Sequence, residues 1–236
     1  MRIDVALNPA EVALLSHRDL SQTTCVVFDV LRATSSMITA LAHGVREIYP
    51  VLSIDEARTL RAELGEAIMG GERDGEIIDG FDVGNSPFEY RELAERKVIT
   101  TTTNGTVALR ACEGAEMVLV GALLNLDQLA EEIRWKEPEE MLLVCAGTFA
   151  DFALEDVCAA GLLTAAFPEA TLSDAARAAF SIARHFPTPL DALLASTNGR
   201  VLAGKGRGKE VEWCAQVSRF NVVGIMEQAV IRPIEA

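Results

Sequence analysis

The chain has 236 residues, half of them hydrophobic and 24% charged, which is ample material for the core of one α/β unit. Its 35 acidic against 21 basic residues give a net charge of −14, and this argues against nucleic acid or anionic membrane as the main partner, since both need a net basic face. No apolar run approaches the roughly 18 residues of a membrane span, the amino-terminal stretch lacks a signal-peptide plan, and a cytoplasmic protein is expected.

The predicted elements follow in chain order. Apolar β-type runs fall at Ile3–Leu7, Thr24–Asp29 and Glu47–Val51. The spacing Ser53 to Glu56 is a capping box that announces a helix. Gly70–Gly75 and Phe81–Tyr90 mix glycine with charge in a loop of about 20 residues, a length that inside a compact domain is usually functional. A second capping box, Ser86 to Glu89 with Pro87 at the first helical position, predicts a helix there. Further strands are expected at Lys97–Thr101, Met117–Val120 and Glu140–Cys145, with Asn125 and Gln128 as a weaker helix start. Ser173-Asp174 opens an Ala-rich helix reaching about Arg184, the chain stays mostly helical to about Ser218, and Asn221–Ile225 returns as a last β-type run. Strand–helix alternation predicts an α/β fold: an open, largely parallel or mixed sheet with helices on both faces and a helix-rich C-terminal third. One domain spanning 1–236 is expected, its weakest joint near Phe167-Pro168.

Residue types narrow the chemistry. The only histidines are His17, His43 and His185, each at a predicted helix end or in a superficial motif, so a Ser-His-acid triad or a His-rich metal site is poorly supported. The five cysteines are scattered without a CxxC pair and read as reduced, buried thiols.

In open α/β sheets ligands bind beyond the carboxyl ends of the strands. Three strand ends here are unusually polar. In VVFDVLRATSS, Asp29 closes an apolar strand, Arg32 lies in the turn, and Thr34 and Ser35 open a helix, which suits Mg²⁺ or nucleophile chemistry beside an anion site. In VITTTTNGT, Thr102, Thr103, Asn104, Gly105 and Thr106 form a tight turn whose amides and hydroxyls can converge on an anion. In LLVCAGTFADFALED, Gly147 and Thr148 leave a strand, and Asp151, Glu155 and Asp156 supply carboxylates, with Asp151 and Glu155 expected one turn apart on one face. Glu72 and Arg73 are candidates for metal and anion contacts. The basic NGRVLAGKGRGKE lacks the Ser or Thr of a phosphate-binding loop and reads as a solvated turn rather than a lid. The shared Thr-Asn-Gly at Thr103–Gly105 and Thr197–Gly199 reads as chance. Spacing alone thus leads to an α/β protein that binds a small anion with Mg²⁺, without choosing the reaction.

FDVLRATSSMITAL, followed by GGERDG, FDVGNSPFEY, TTTNGT, CAGT and NGRVL…CAQ, resembles the 2-phosphosulfolactate phosphatase (ComB) family over nearly the whole chain and in the same order. The resemblance implies an Mg²⁺-dependent hydrolysis of 2-phospho-3-sulfolactate to 3-sulfolactate and phosphate, of the coenzyme M biosynthesis type. It implies a small anionic phosphorylated substrate, and a homodimer is allowed. Read with it, Asp29 is the leading acid, as metal ligand or nucleophile. Arg32 and the Thr102–Thr106 turn with Asn104 hold phosphate, Glu72 and Asp151 complete the metal site, and Arg73 holds sulfonate. Other phosphatase plans fail on the residues: Leu31 stands where a haloacid-dehalogenase-type enzyme needs its second Asp, and no Cys has an Arg at the required spacing.

Overall fold

The computed structural model describes residues 1–234; the last two residues of the expected 1–236 unit lie outside that range. The chain runs β1 (Arg2–Ala6), α1 (Pro9–Ala13), β2 (Thr23–Phe28), α2 (Ala33–Ala42), β3 (Glu47–Pro50), α3 (Ile54–Leu64) and β4 (Ile68–Arg73). It continues through β5 (Glu76–Ile77), β6 (Lys97–Thr101), α4 (Gly105–Ala111), β7 (Met117–Gly121), α5 (Leu126–Lys136), β8 (Glu140–Cys145) and α6 (Leu154–Ala165). The last third holds β9 (Thr171–Leu172), α7 (Asp174–His185), α8 (Pro189–Ala195), α9 (Thr197–Gly204), α10 (Gly208–Cys214), β10 (Gly224–Glu227) and β11 (Val230–Pro233).

The strands form one open sheet in the order β5-β4-β6-β3-β11-β10-β7-β2-β8-β1-β9. It is largely parallel, with two antiparallel hairpins, β4–β5 and β10–β11. The second hairpin sits in the middle of the sheet and joins a β4-β6-β3 block to a β7-β2-β8-β1-β9 block. The predicted run Asn221–Ile225 is therefore the approach to a hairpin, not a single returning strand. Its turn residues Gln228 and Ala229 both have positive φ, the geometry that matches strand twist.

Alternation along β2 shows why its run is apolar throughout. Cys25 and Val27 pack into a cluster with α2 and α4, while Val26 and Phe28 pack into the opposite cluster with α5, α6 and α7. Both faces are covered, so the run from Cys25 to Phe28 is apolar up to the strand end. The helix following β2 lies on one face, and α6, following the adjacent β8, lies on the other. A crevice opens between strand ends where successive helices part in this way.

The caps at Ser53 and Ser173 form as expected, accepting from Glu56 N and Ala176 N. The helix expected at Ser86 does not form. Glu89 accepts from Ser86 N and Gly84 N, but Tyr90 is drawn into the core with its hydroxyl on Gly84 O, leaving only a 3₁₀ turn at Glu89–Glu92. Asn125 does stand at the N-cap position of α5, as expected, but its side chain makes no capping bond. It is fully buried, accepts from Ala122 N and donates to Val120 O and Val222 O, pinning the hairpin region to β7. Among the described residues, no helix is long and apolar enough to cross a membrane. All five cysteines are buried free thiols.

Candidate active site

A cavity of about 300 Å³ lies at the carboxyl ends of β2 and β8, where both sheet blocks and the C-terminal helices meet. Asp29, Arg32, Glu72, Thr103, Asn104, Gly147, Thr148 and Asp151 all line it.

Asp29 is set by its neighbours. Its backbone N–H bonds the Thr34 hydroxyl, and Ala33 N donates to its Oδ1 at 3.1 Å. Gly105 brings the start of α4 against it: a Cβ there would lie 2.5 Å from Asp29 Oδ2 and 2.7 Å from Ala33 Cβ, so only glycine fits. Burial pushes the Asp29 carboxyl up to about 7; the Ala33 amide opposes this, the negative charges of Glu72 and Glu155 add to it, and Arg32 opposes it. Behind Asp29, the buried Asp156 accepts from Val30 N and Gly147 N, tying the turn after β2 to the turn after β8. Burial and the nearby Glu155 and Asp29 charges hold Asp156 far above the usual carboxylate range.

Glu72 accepts from Thr103 N and Gly75 N, both at 2.7 Å. Arg32 is buried, with one guanidinium arm on Glu210 of α10 and the other on Gly75 O at 3.1 Å. Asn104 clamps the turn after β8, donating to Ala146 O and Phe149 O and accepting from Phe149 N.

Several expected contacts are corrected. Thr34 and Ser35 are fully buried and donate to Asp29 O and Val30 O, closing the helix start rather than facing substrate. Thr102 and Thr106 are spent on each other. Gly105 is not among the cavity-lining residues, and its missing side chain makes room for Asp29. Arg73 does not line the cavity: its guanidinium bonds Glu72 O and the Thr101 hydroxyl. GGERDG is not a loop but β4 turning into β5, and alternation turns Glu72 and Arg73 to opposite sides. Asp151 and Glu155 are not one turn apart on a helix, because α6 starts at Leu154; Asp151 is exposed in the preceding loop, whereas Glu155 is buried. Asp29, Glu72 and Asp151 all line the cavity, and among the described residues no group of three or more His, Cys, Asp or Glu is placed to hold a metal ion.

The basic segment is not a solvated turn. Thr197, Asn198, Val201, Leu202, Lys205 and Arg207 form a wall of the cavity on α9 and the turn into α10. Nor is the second Thr-Asn-Gly idle. Asn198 donates to the Thr148 hydroxyl and to Glu155 Oε1, both at 2.6 Å, so the asparagines of both motifs grip the structure around the turn after β8. The hairpin had a readable signal: Asp74-Gly75, both at positive φ, is the two-residue turn that strand twist favours.

An open α/β sheet with buried acids at a strand-end crevice and cations lining it makes a site suited to a small anion. A sequence model of the 2-phosphosulpholactate phosphatase family matches residues 10–229, and the chain belongs to that family of phosphoric monoester hydrolases. It is 37% identical to a protein of Carboxydothermus hydrogenoformans over 94% of this chain and 92% of the relative. It is 33% identical to one of Clostridium perfringens over 100% and 98%, and 37% identical to one of Deinococcus radiodurans over 84% and 85%. All three are named probable 2-phosphosulfolactate phosphatase.

Proposed function

We propose that this chain hydrolyses 2-phospho-3-sulfolactate to 3-sulfolactate and phosphate with Mg²⁺, in the cytoplasm, as a step of the coenzyme M biosynthesis type. The carrying observation is the make-up of the cavity: the buried carboxylates Asp29 and Glu72 and the cations Arg32, Lys205 and Arg207 all line one small space. A three-carbon acid carrying phosphate, carboxylate and sulfonate needs both kinds of group within one small space.

The residues suit a divalent cation. Asp29 and Glu72 are near-neighbour carboxylates whose like charges help hold Asp29 high, and a cation between such groups relieves that repulsion. Two carboxylates, with water and substrate oxygens, are a donor set that Mg²⁺ accepts. When bound there, Mg²⁺ supplies neutralisation of the charge that develops on the transferring phosphoryl group. Arg32 keeps its fork oriented through Glu210 and Gly75 O and meets the phosphate oxygens. Asn104 and Asp156 fix the turns that set the distance between Asp29 and the far wall. Asp29 takes the leading role, as cation ligand or as the attacking oxygen.

Phosphate release from a panel of esters tests the reading. 2-Phospho-3-sulfolactate should be hydrolysed best, EDTA should abolish the activity, and Mg²⁺ should restore it. A large preference for 2-phospholactate or phosphoglycolate would make the substrate another small phosphorylated acid. Release from no ester would leave an anion-binding module, and full activity without metal would remove the cation.

A further inference from the structure

We propose that the β4–β5 hairpin tip and the turn between α9 and α10 form a counter-ion latch, in which Glu76 occupies Lys205 and Arg207 until the second anionic group that the substrate carries besides phosphate displaces it. Glu76 is then a positioning residue, and Lys205 and Arg207 determine specificity for that second group. The inference rests on the reading of the cavity as a site for a phosphorylated acid with a further anion.

The contacts across the cavity mouth are few and directed. Lys205 Nζ lies 2.7 Å from Glu76 Oε1, and one Arg207 nitrogen lies 3.0 Å from Glu76 Oε2. The other Arg207 arm donates to Gly75 O at 2.8 Å, the carbonyl that also receives Arg32. One backbone oxygen therefore gathers two guanidinium groups, and Lys205 stands beside them. Gly75 is held in turn by its N–H to Glu72, so the hairpin tip is anchored to the site while the Glu76 side chain remains free to swing.

The two sides of this contact differ in strength. The Glu76 side chain is 56% exposed and the Lys205 side chain 42%, so their pairing is screened and weak. Arg207 keeps its bond to Gly75 when Glu76 leaves, so its fork stays in place for an incoming anion. A sulfonate or carboxylate entering beside Leu31 and Val201, on the cavity side, meets the same two cations with less water around them. An acid with one anionic group besides phosphate gains little from displacing Glu76; one with two gains the whole contact.

The test compares binding of 3-sulfolactate and lactate, by calorimetry or ligand-detected NMR, to wild type and to Glu76→Gln. The variant changes only an exposed side chain, and circular dichroism confirms its fold. It should bind 3-sulfolactate about threefold more tightly at low salt, the scale of one exposed ion pair, with lactate unchanged. The gain should fade at high salt. In turnover, KM for 2-phospho-3-sulfolactate should fall by the same factor with kcat unchanged, while KM for 2-phospholactate stays put. A double variant, Lys205→Met with Arg207→Met, should lose 3-sulfolactate selectively. Equal shifts for both acids, or none for either, overturn the latch. Failure to release phosphate from any ester sinks the enzymatic reading; turnover that is indifferent to Glu76 sinks the latch alone.

Discussion

The floor and the rim of the cavity use the same functional groups to opposite effect. Asp29 at the floor and Asp156 behind it are buried, and loss of water raises their proton affinity. At the rim Glu76 is exposed, and its hydrogen bond to Lys205, with the charges of Arg207 and Lys205, holds its carboxyl below the usual range. The contrast shows how one site divides its work. Charges that cost energy to bury are fixed by backbone amides and aimed at chemistry, while charges left in water exchange partners cheaply and suit recognition.

The sharpest way to break this comparison is Asp29→Asn. Asn keeps the shape and still accepts from Ala33 N, so the fold should persist. Turnover should fall by orders of magnitude if Asp29 binds the cation or attacks phosphorus. A folded variant keeping more than about a tenth of wild-type kcat, a barrier change under about 1.4 kcal/mol, would leave Asp29 as a loop anchor.

Arg32→Lys comes next. A lysine cannot serve Glu210 and Gly75 O together, and the loss of one charge-assisted contact costs on the order of 1.5–3 kcal/mol, roughly 10- to 150-fold in kcat/KM. An unchanged kcat/KM would show that the guanidinium does not meet substrate.

Gly105→Ala probes the approach of α4 to Asp29. The added carbon meets the carboxylate and Ala33 inside normal contact distance, and overpacking of this kind costs about 1–3 kcal/mol. Thermal denaturation should show the loss, with kcat falling alongside because Asp29 must shift. Wild-type stability and activity together would mean that the neighbourhood is soft.

The pH dependence of stability separates floor from rim without any assay of turnover. Asp29 has a folded pKa of about 7 against an ordinary value of 3.8, so the folded state holds its proton longer than the unfolded chain does. Its contribution to stability is full below about pH 4, declines as pH rises towards 7, and is flat above that. In EDTA-treated protein, Asp29→Asn should lack this decline and be the more stable form at pH 8. Parallel curves for the two proteins would contradict the burial argument.

The smallest effect belongs to the rim. Lys205→Gln should change the unfolding free energy by less than about 0.5 kcal/mol, since exposed ion pairs contribute little. A larger loss would make the α9–α10 turn a structural strut rather than a recognition wall.

Much of this molecule was legible in the chain itself. The strands β2, β6 and β8 are largely buried, and their apolar stretches Cys25–Phe28, Val98–Ile99 and Met141–Cys145 made them readable. Asp29, Arg32, Glu72 and Asn104 stood out as polar residues at strand ends or in a glycine-rich stretch, and all four line the cavity. Tertiary structure alone decided the rest. Thr34 and Thr102 carry the same hydroxyl as Thr103, yet they close helix starts while Thr103 lines the cavity, and only the direction of each side chain separates them. Arg73 and Arg207 carry the same charge, yet strand alternation removed one from the site and the α9–α10 turn delivered the other from 134 positions further along the chain. Local sequence sets which groups are present and where strands end. Which of those groups share a cavity depends on contacts between distant segments, and no local pattern encodes them.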